Sequence, residues 1–141
     1  MNIEICNEQG NLAGYTGMMT EVMSDICCAI DNTSSFDQNF LTEFFMVAED
    51  QFSSIAFLEK IEVKRDFRGQ GFGTDMLKAF NEKSQSAQVR FLLARVDNPQ
   101  AEGFNLLKFY GKHGYYPVRY SNGDMLMVNK EHSSFFIEAL G

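Results

Sequence analysis

The sequence has no tryptophan, two prolines, two histidines and three cysteines in 141 residues. So few nitrogen and sulfur donors, none at ligand spacing, argue against a metal centre. Cys27 and Cys28 are adjacent, which makes neither a CxxC redox pair nor half of a zinc site. Cys6, Cys27 and Cys28 are therefore expected to be small, buried apolar residues. No apolar run reaches the ~18 residues of a membrane-spanning helix. Met1-Asn2-Ile3-Glu4-Ile5 lacks the basic start and apolar stretch of a secretory signal, so a cytoplasmic protein without membrane contact is expected. Positive charge is also scarce, with 12 Lys and Arg against 19 Asp and Glu, for a net charge of −7. Affinity for a polyphosphate backbone needs clustered Lys and Arg, so this balance argues against a nucleic-acid-binding surface and no nucleic-acid partner is expected. The same acidity suits a cationic substrate, or simply solubility.

Apolar residues, by contrast, are plentiful. They make up 45% of the chain, with fourteen Phe and five Tyr, enough for a packed core. No repeat, low-complexity run or linker divides the chain, so one domain over residues 1–141 is expected. Strand-like and helix-like segments alternate, as in an α/β or α+β domain. Ile3 and Ile5 lead through a turn at Asn7–Asn11 into Leu12–Tyr15, a hairpin pattern. Thr20 to Ile30 fits helix and strand equally. Residues 31–35 offer loop and N-cap chemistry, and Phe36, Phe40, Leu41, Phe44, Phe45 and Ala48 follow at helical spacing for about three turns. In Ile55–Val63, residues Ile55, Phe57, Glu59, Ile61 and Val63 share one strand face, placing a carboxylate among apolar side chains. A helix is predicted over Thr74–Phe80 and a doubly buried strand over Val89–Val96. Phe104, Leu107 and Tyr110 mark another helix, closed at Gly111 or Gly114. Tyr115–Arg119 and Met125–Asn129, joined through Asn122-Gly123, read as a hairpin.

Between the Ile55–Val63 strand and the Thr74–Phe80 helix stands Arg68-Gly69-Gln70-Gly71-Phe72-Gly73. Glycines let a backbone approach a ligand closely, and a helix N-terminus turns free N–H groups and a positive dipole end toward an anion. Arg68 adds a charge-assisted donor. A phosphate or pyrophosphate can bind here on physical grounds alone. The spacing is not the GxGxxG of a dinucleotide site, nor a GxxxxGK P-loop.

The order Arg-x-x-Gly-x-Gly resembles the pyrophosphate loop of GNAT acetyltransferases. The resemblance extends from Phe57-Leu58-Glu59 through Phe80, and resumes at Phe109-Tyr110-Gly111-Lys112-His113-Gly114-Tyr115. It implies a mixed sheet whose central strands splay into a V-shaped cleft for acetyl-CoA. It further implies that Ile61, Glu62 and Val63 pair with the pantetheine arm, and that Arg68, Gly69, Gln70, Gly71, Phe72, Gly73 and Thr74 hold the pyrophosphate. A backbone N–H near Val63 would polarise the thioester carbonyl. Glu59 occupies the place of a glutamate in polyamine-acetylating members, which implies a general base whose pKa desolvation would raise. Tyr110 matches the tyrosine that protonates the departing thiolate. The acceptor implied is a small-molecule or protein amine, and homodimers are common in the family.

Two departures stand out. The Asn that the family carries ahead of its tyrosine is replaced by Gly103, with Asn98 and Asn105 near but out of register. The region before the fourth strand is short, and Glu8–Tyr15 resembles the family's second and third strands, leaving the Phe36–Ala48 helix to replace the usual two. That shortening supports an alternative: a catalytically weak or inactive GNAT fold that binds acetyl-CoA or a basic partner protein. His113 and His132 carry no acid–base assignment.

Overall fold

The computed structural model describes residues 3–16, 19–20, 34–58, 61–95, 106–129, 131 and 138. Glu59, Asn98, Asn105, His132, Cys27, Cys28, Val96, Phe104 and most of the ambiguous Thr20–Ile30 stretch lie outside the described residues.

The N-terminal hairpin forms as its alternation predicts, from β1 (Glu4–Cys6) and β2 (Leu12–Thr16). The Asn7 carboxamide oxygen accepts from the N–H groups of Gln9 and Asn11, and Gly10 takes the positive φ of the turn. Cys6 corrects an expectation. It is exposed, because β1 is an edge strand that turns Ile3 and Ile5 inward and Glu4 and Cys6 outward. β3 (Met19–Thr20) follows and pairs with the fourth strand.

The first helix, α1 (Gln38–Gln51), is longer than its apolar spacing implied, and its cap is not in residues 31–35. Asp37 caps it, its Oδ1 accepting from the N–H groups of Asn39 and Phe40 at 3.0 and 3.3 Å. Phe36 lies outside the helix and packs on Phe40.

The expected strand over Ile55–Val63 is described on either side of residues 59–60 as β4 (Ile55–Leu58) and β5 (Ile61–Val63), which pair with β3 and β2 in one unbroken antiparallel register. The expected single apolar face is also corrected: all four residues of β4 are buried, because helices cover both of its faces. A 3₁₀ turn (Arg65–Phe67) then leads into α2 (Phe72–Lys83), which starts two residues before Thr74. β6 (Val89–Arg95), α3 (Leu106–Lys112), β7 (Tyr115–Ser121) and β8 (Asp124–Asn129) complete the order. Gly114, with φ of 91°, follows α3, while Gly111 lies inside it. Asn122 and Gly123 both take positive φ in the two-residue turn between β7 and β8. Pro117 sits on the edge strand β7 beside a bulge, where a missing ladder donor is tolerated.

One sheet runs β1-β2-β5 and the other β3-β4-β6-β8-β7, with β4 and β6 parallel and the remaining pairs antiparallel. The period of two sorts the larger sheet's side chains into two cores. Ile55, Phe57, Val89, Phe91, Leu126 and Val128 face α1, while Ala56, Leu58, Leu92, Ala94 and Met127 face α2 and α3. At the centre of the first, the Phe91 ring lies 5.5, 5.1 and 5.4 Å from those of Phe44, Phe45 and Phe57. The apolar residues of α1 are largely consumed by this packing, leaving Met46 exposed. The start of α1 is tied to the far hairpin: Ser34 donates to the buried Asp124 carboxylate, Asp37 N–H to Ser121 Oγ, and Asn122 Nδ2 to the Ser35 carbonyl. Phe91→Ala should lower unfolding free energy by about 3–5 kcal/mol in a urea titration, with the denaturant dependence unchanged.

Candidate active site

Among the described residues, the last β4–β6 pair is Leu58–Leu92. Beyond it β6 pairs with β8 up to Arg95, while β5 pairs with β2. The parity of the β2–β5 ladder fixes which backbone groups are turned outward. Lys64 N–H donates to the Ala13 carbonyl at 2.8 Å, so Ala13 and Lys64 form a hydrogen-bonded pair. Bonded and non-bonded pairs alternate in an antiparallel ladder, which makes Tyr15–Glu62 the next bonded pair. Ile61 and Val63 therefore direct their N–H and C=O groups to the side of β5 away from β2, whereas the backbone of Glu62 is committed to β2. The Val63 carbonyl accepts from Arg68 Nε at 3.2 Å, bracing the next loop against the strand.

That loop is short and tightly turned. Gln70 Nε2 reaches the Asp66 carbonyl at 3.4 Å, and the rings of Phe67 and Phe72 meet edge to face. Gly69 and Gly71 have φ of 78° and 88°, a conformation costly to residues bearing a Cβ. A Cβ built on either would have no atom within 4 Å, so the requirement for glycine is conformational and the space beside the loop is open. Gly71 is the N-cap of α2, yet no side chain caps the helix. The first intrahelical bond there is Asp75 N–H to the Gly71 carbonyl, leaving the N–H groups of Phe72, Gly73 and Thr74 without helical partners. Gly73 differs from the other two. It belongs to the first turn of α2, and a Cβ there would rest 3.7 Å from Phe109 and 3.8 Å from Val63. Phe109, one residue from Tyr110, thus seats the helix start on β5, a role the spacing of the glycines did not reveal. Thr74 is half-buried beside it, and Arg68 and Gln70 are exposed.

Tyr110 is the buried residue of α3, in the core that this helix shares with α2, edge-on to Phe109 and Tyr115. Burial pushes its phenol up to about 12. His113, on the next turn of the same segment, is lowered by burial and then by the charges of Lys78 and Lys112.

The sequence profile of the acetyltransferase (GNAT) family matches residues 5–115. The chain belongs to this GNAT family. No curated protein matches it in sequence. Among solved structures, the PaiA N-acetyltransferase of Thermoplasma acidophilum, determined in complex with coenzyme A, is 13% identical with a TM-score of 0.53, over 88% of this chain and 57% of that one. The Escherichia coli N-acetyltransferase that acts on a ribosomal-protein alanine is 16% identical with a TM-score of 0.54, over 92% and 67%. A nourseothricin acetyltransferase is 14% identical with a TM-score of 0.50, over 88% and 61%. At these identities the likeness is one of fold, and the chain spans 57–67% of their lengths.

The GNAT domain thus brings Ile61, Val63, Arg68 and the glycine loop together at one end of α2, with Tyr110 in the core below. Tyr110 and Tyr115, both raised by burial, hold their protons when folded and release them from about 10 upward when unfolded. Their contribution to stability is complete below pH 10 and is lost as pH rises through the folded values. Thermal melts should show the midpoint falling between pH 10 and about 12, with a shallower fall in Tyr110→Phe.

Proposed function

We propose that this GNAT protein is an acetyl-CoA-dependent N-acetyltransferase that passes acetyl directly to a primary amine. The observation that carries this reading is the uncapped start of α2, preceded by two left-handed glycines and set beside the outward backbone of β5. Such a helix start accepts a pyrophosphate without displacing any protein group. The outward edge at Ile61 and Val63 suits an extended arm with amides of its own, taken as an added strand would be. When bound, acetyl-CoA supplies an activated thioester carbonyl.

The chain's own residues divide the remaining work. Arg68 keeps the loop against β5 through Nε, and its two Nη groups suit the phosphates. The Val63 N–H faces away from β2 and serves as the donor that polarises the acyl oxygen. Glu59 takes the ammonium proton of the acceptor. Tyr110 is fully protonated at neutral pH, the state from which an acid must act. It passes that proton to the departing sulfur as the carbon–sulfur bond breaks, and its phenolate regains one from the acylated nitrogen or from water. The acceptor is a small amine, an amino-sugar or a protein amine, and the fold relatives include enzymes named for both small-molecule and protein substrates. The net charge of −7 favours a cationic acceptor.

Calorimetric titration with acetyl-CoA should show saturable binding that Gly71→Glu abolishes through charge and bulk. Gly71→Ala, which adds only the backbone strain of a Cβ at positive φ, should cost about 1 kcal/mol of stability and retain binding. Absence of binding to well-folded wild type would overturn the proposal. In an amine screen, Glu59→Gln and Tyr110→Phe should each lower kcat about a hundredfold with little change in acetyl-CoA affinity. Binding without turnover against any amine would instead identify a GNAT fold that has become a binding protein.

A further inference from the structure

A concavity of about 460 Å³ opens at the other end of α2, with Asn81, Arg90, His113, Tyr115, Asn129 and Glu131 in its lining. Asn81 lies ten residues beyond Gly71, about 15 Å along the helix, so this site is separate from the glycine loop. Two of these side chains, Asn81 and Asn129, have their acceptor oxygens engaged and their donors left over. The Asn129 carboxamide oxygen accepts from the Arg90 N–H at 2.8 Å, and that donor fixes which way the amide points. The Asn81 oxygen accepts from the Tyr115 hydroxyl at 2.8 Å. Each carboxamide then retains an NH₂ with two donors.

Arg90 is aimed by a relay from the core. Its Nε donates to Ser84 Oγ at 2.8 Å, and the fully buried Ser84 hydroxyl donates onward to the Phe80 carbonyl at 2.6 Å. This fixes the guanidinium plane and leaves its two Nη groups available as a fork. Lys78 and Lys112 act electrostatically on His113 in the same region, concentrating positive charge in a chain whose net charge is −7. Glu131, which is exposed, is the one carboxylate among the described residues of the lining.

We propose that this concavity is a binding site for a small oxyanion, a carboxylate or a phosphoryl group, gripped by the Arg90 fork and the carboxamide NH₂ groups of Asn81 and Asn129. Planar, paired acceptor oxygens match a guanidinium whose plane is already set. Tyr115 connects the site to the core, because its ring also packs edge-on against Tyr110.

The test is a nuclear magnetic resonance titration of the full chain, with sodium phosphate and sodium acetate in separate arms at constant ionic strength. The His113 ring and the side-chain amides of Asn81 and Asn129 are the reporters. Saturable shifts at these groups are expected with at least one anion. Phosphate alone points to a phosphoryl ligand; acetate alone, or both, points to a carboxylate-sized one. Arg90→Gln should weaken binding about tenfold or more. Arg90→Lys, which keeps the charge but loses the fork, should weaken it less and provides the test if the glutamine variant does not fold. Glu131→Gln should tighten binding by removing a repulsive charge, and Gly71→Glu should leave it unchanged. Shifts that fail to saturate with either anion, that persist in both Arg90 variants, or that are confined to residues 69–74 would overturn the proposal.

Discussion

The outward edge of β5 is the constraint on which the candidate site depends. A strand can satisfy two neighbours, and β5 has β2 on one side, while the last residues of β6 have β8. The side of β5 away from β2 is left with the outward N–H and C=O groups of Ile61 and Val63. Backbone groups that are neither paired nor hydrated are costly, so such an edge is stable only where water or a ligand can reach it. The glycine loop is assembled against this edge, with Arg68 on the Val63 carbonyl and Gly73 seated between Val63 and Phe109.

Rigidity beneath the edge comes from burial on both faces of the larger sheet. Alternate residues of β4, β6 and β8 enter different cores, one closed by α1 and the other by α2 and α3. A shift of register by one residue would exchange the two sets, which fixes β4 against β6. α2 is thereby held at a defined position while its N-terminus remains uncapped. The cost of leaving those N–H groups unpaired by protein is local, and the packing of Met76, Leu77 and Phe80 offsets it further along the helix. α1 holds the opposite face although it enters the chain between β3 and β4. What the sheet requires is an apolar cover, and the serine and aspartate ties to the β7–β8 hairpin keep that cover in place.

Much of this was legible in the residues themselves. Asn122-Gly123 announced the type of turn that joins β7 and β8, because few other pairs take positive φ at both positions cheaply. The periods of two and near four located the N-terminal hairpin, β6 and three helices. The order of Arg68 and the glycines marked a helix start without a side-chain cap, since that property lies in the local backbone. The sequence pattern failed where neighbours decided the outcome. Ile55–Val63 alternates as if one face alone were buried, but helices on both sides of the larger sheet bury all four residues of β4. Cys6 resembles a core residue by type and is exposed because its strand lies at an edge.

The sequence by itself determined the chain's family, the elements and the glycine loop, because each rests on covalent geometry or on contacts a few residues apart. Only the tertiary structure decided which glycines need positive φ and which one packs. It alone fixed which backbone groups of β5 face outward and how deeply Tyr110 is buried. It also brought Asn81, Arg90, His113 and Asn129 together from separate elements. Such properties depend on pairing parity and on the exclusion of water by distant segments, and no local pattern encodes either one.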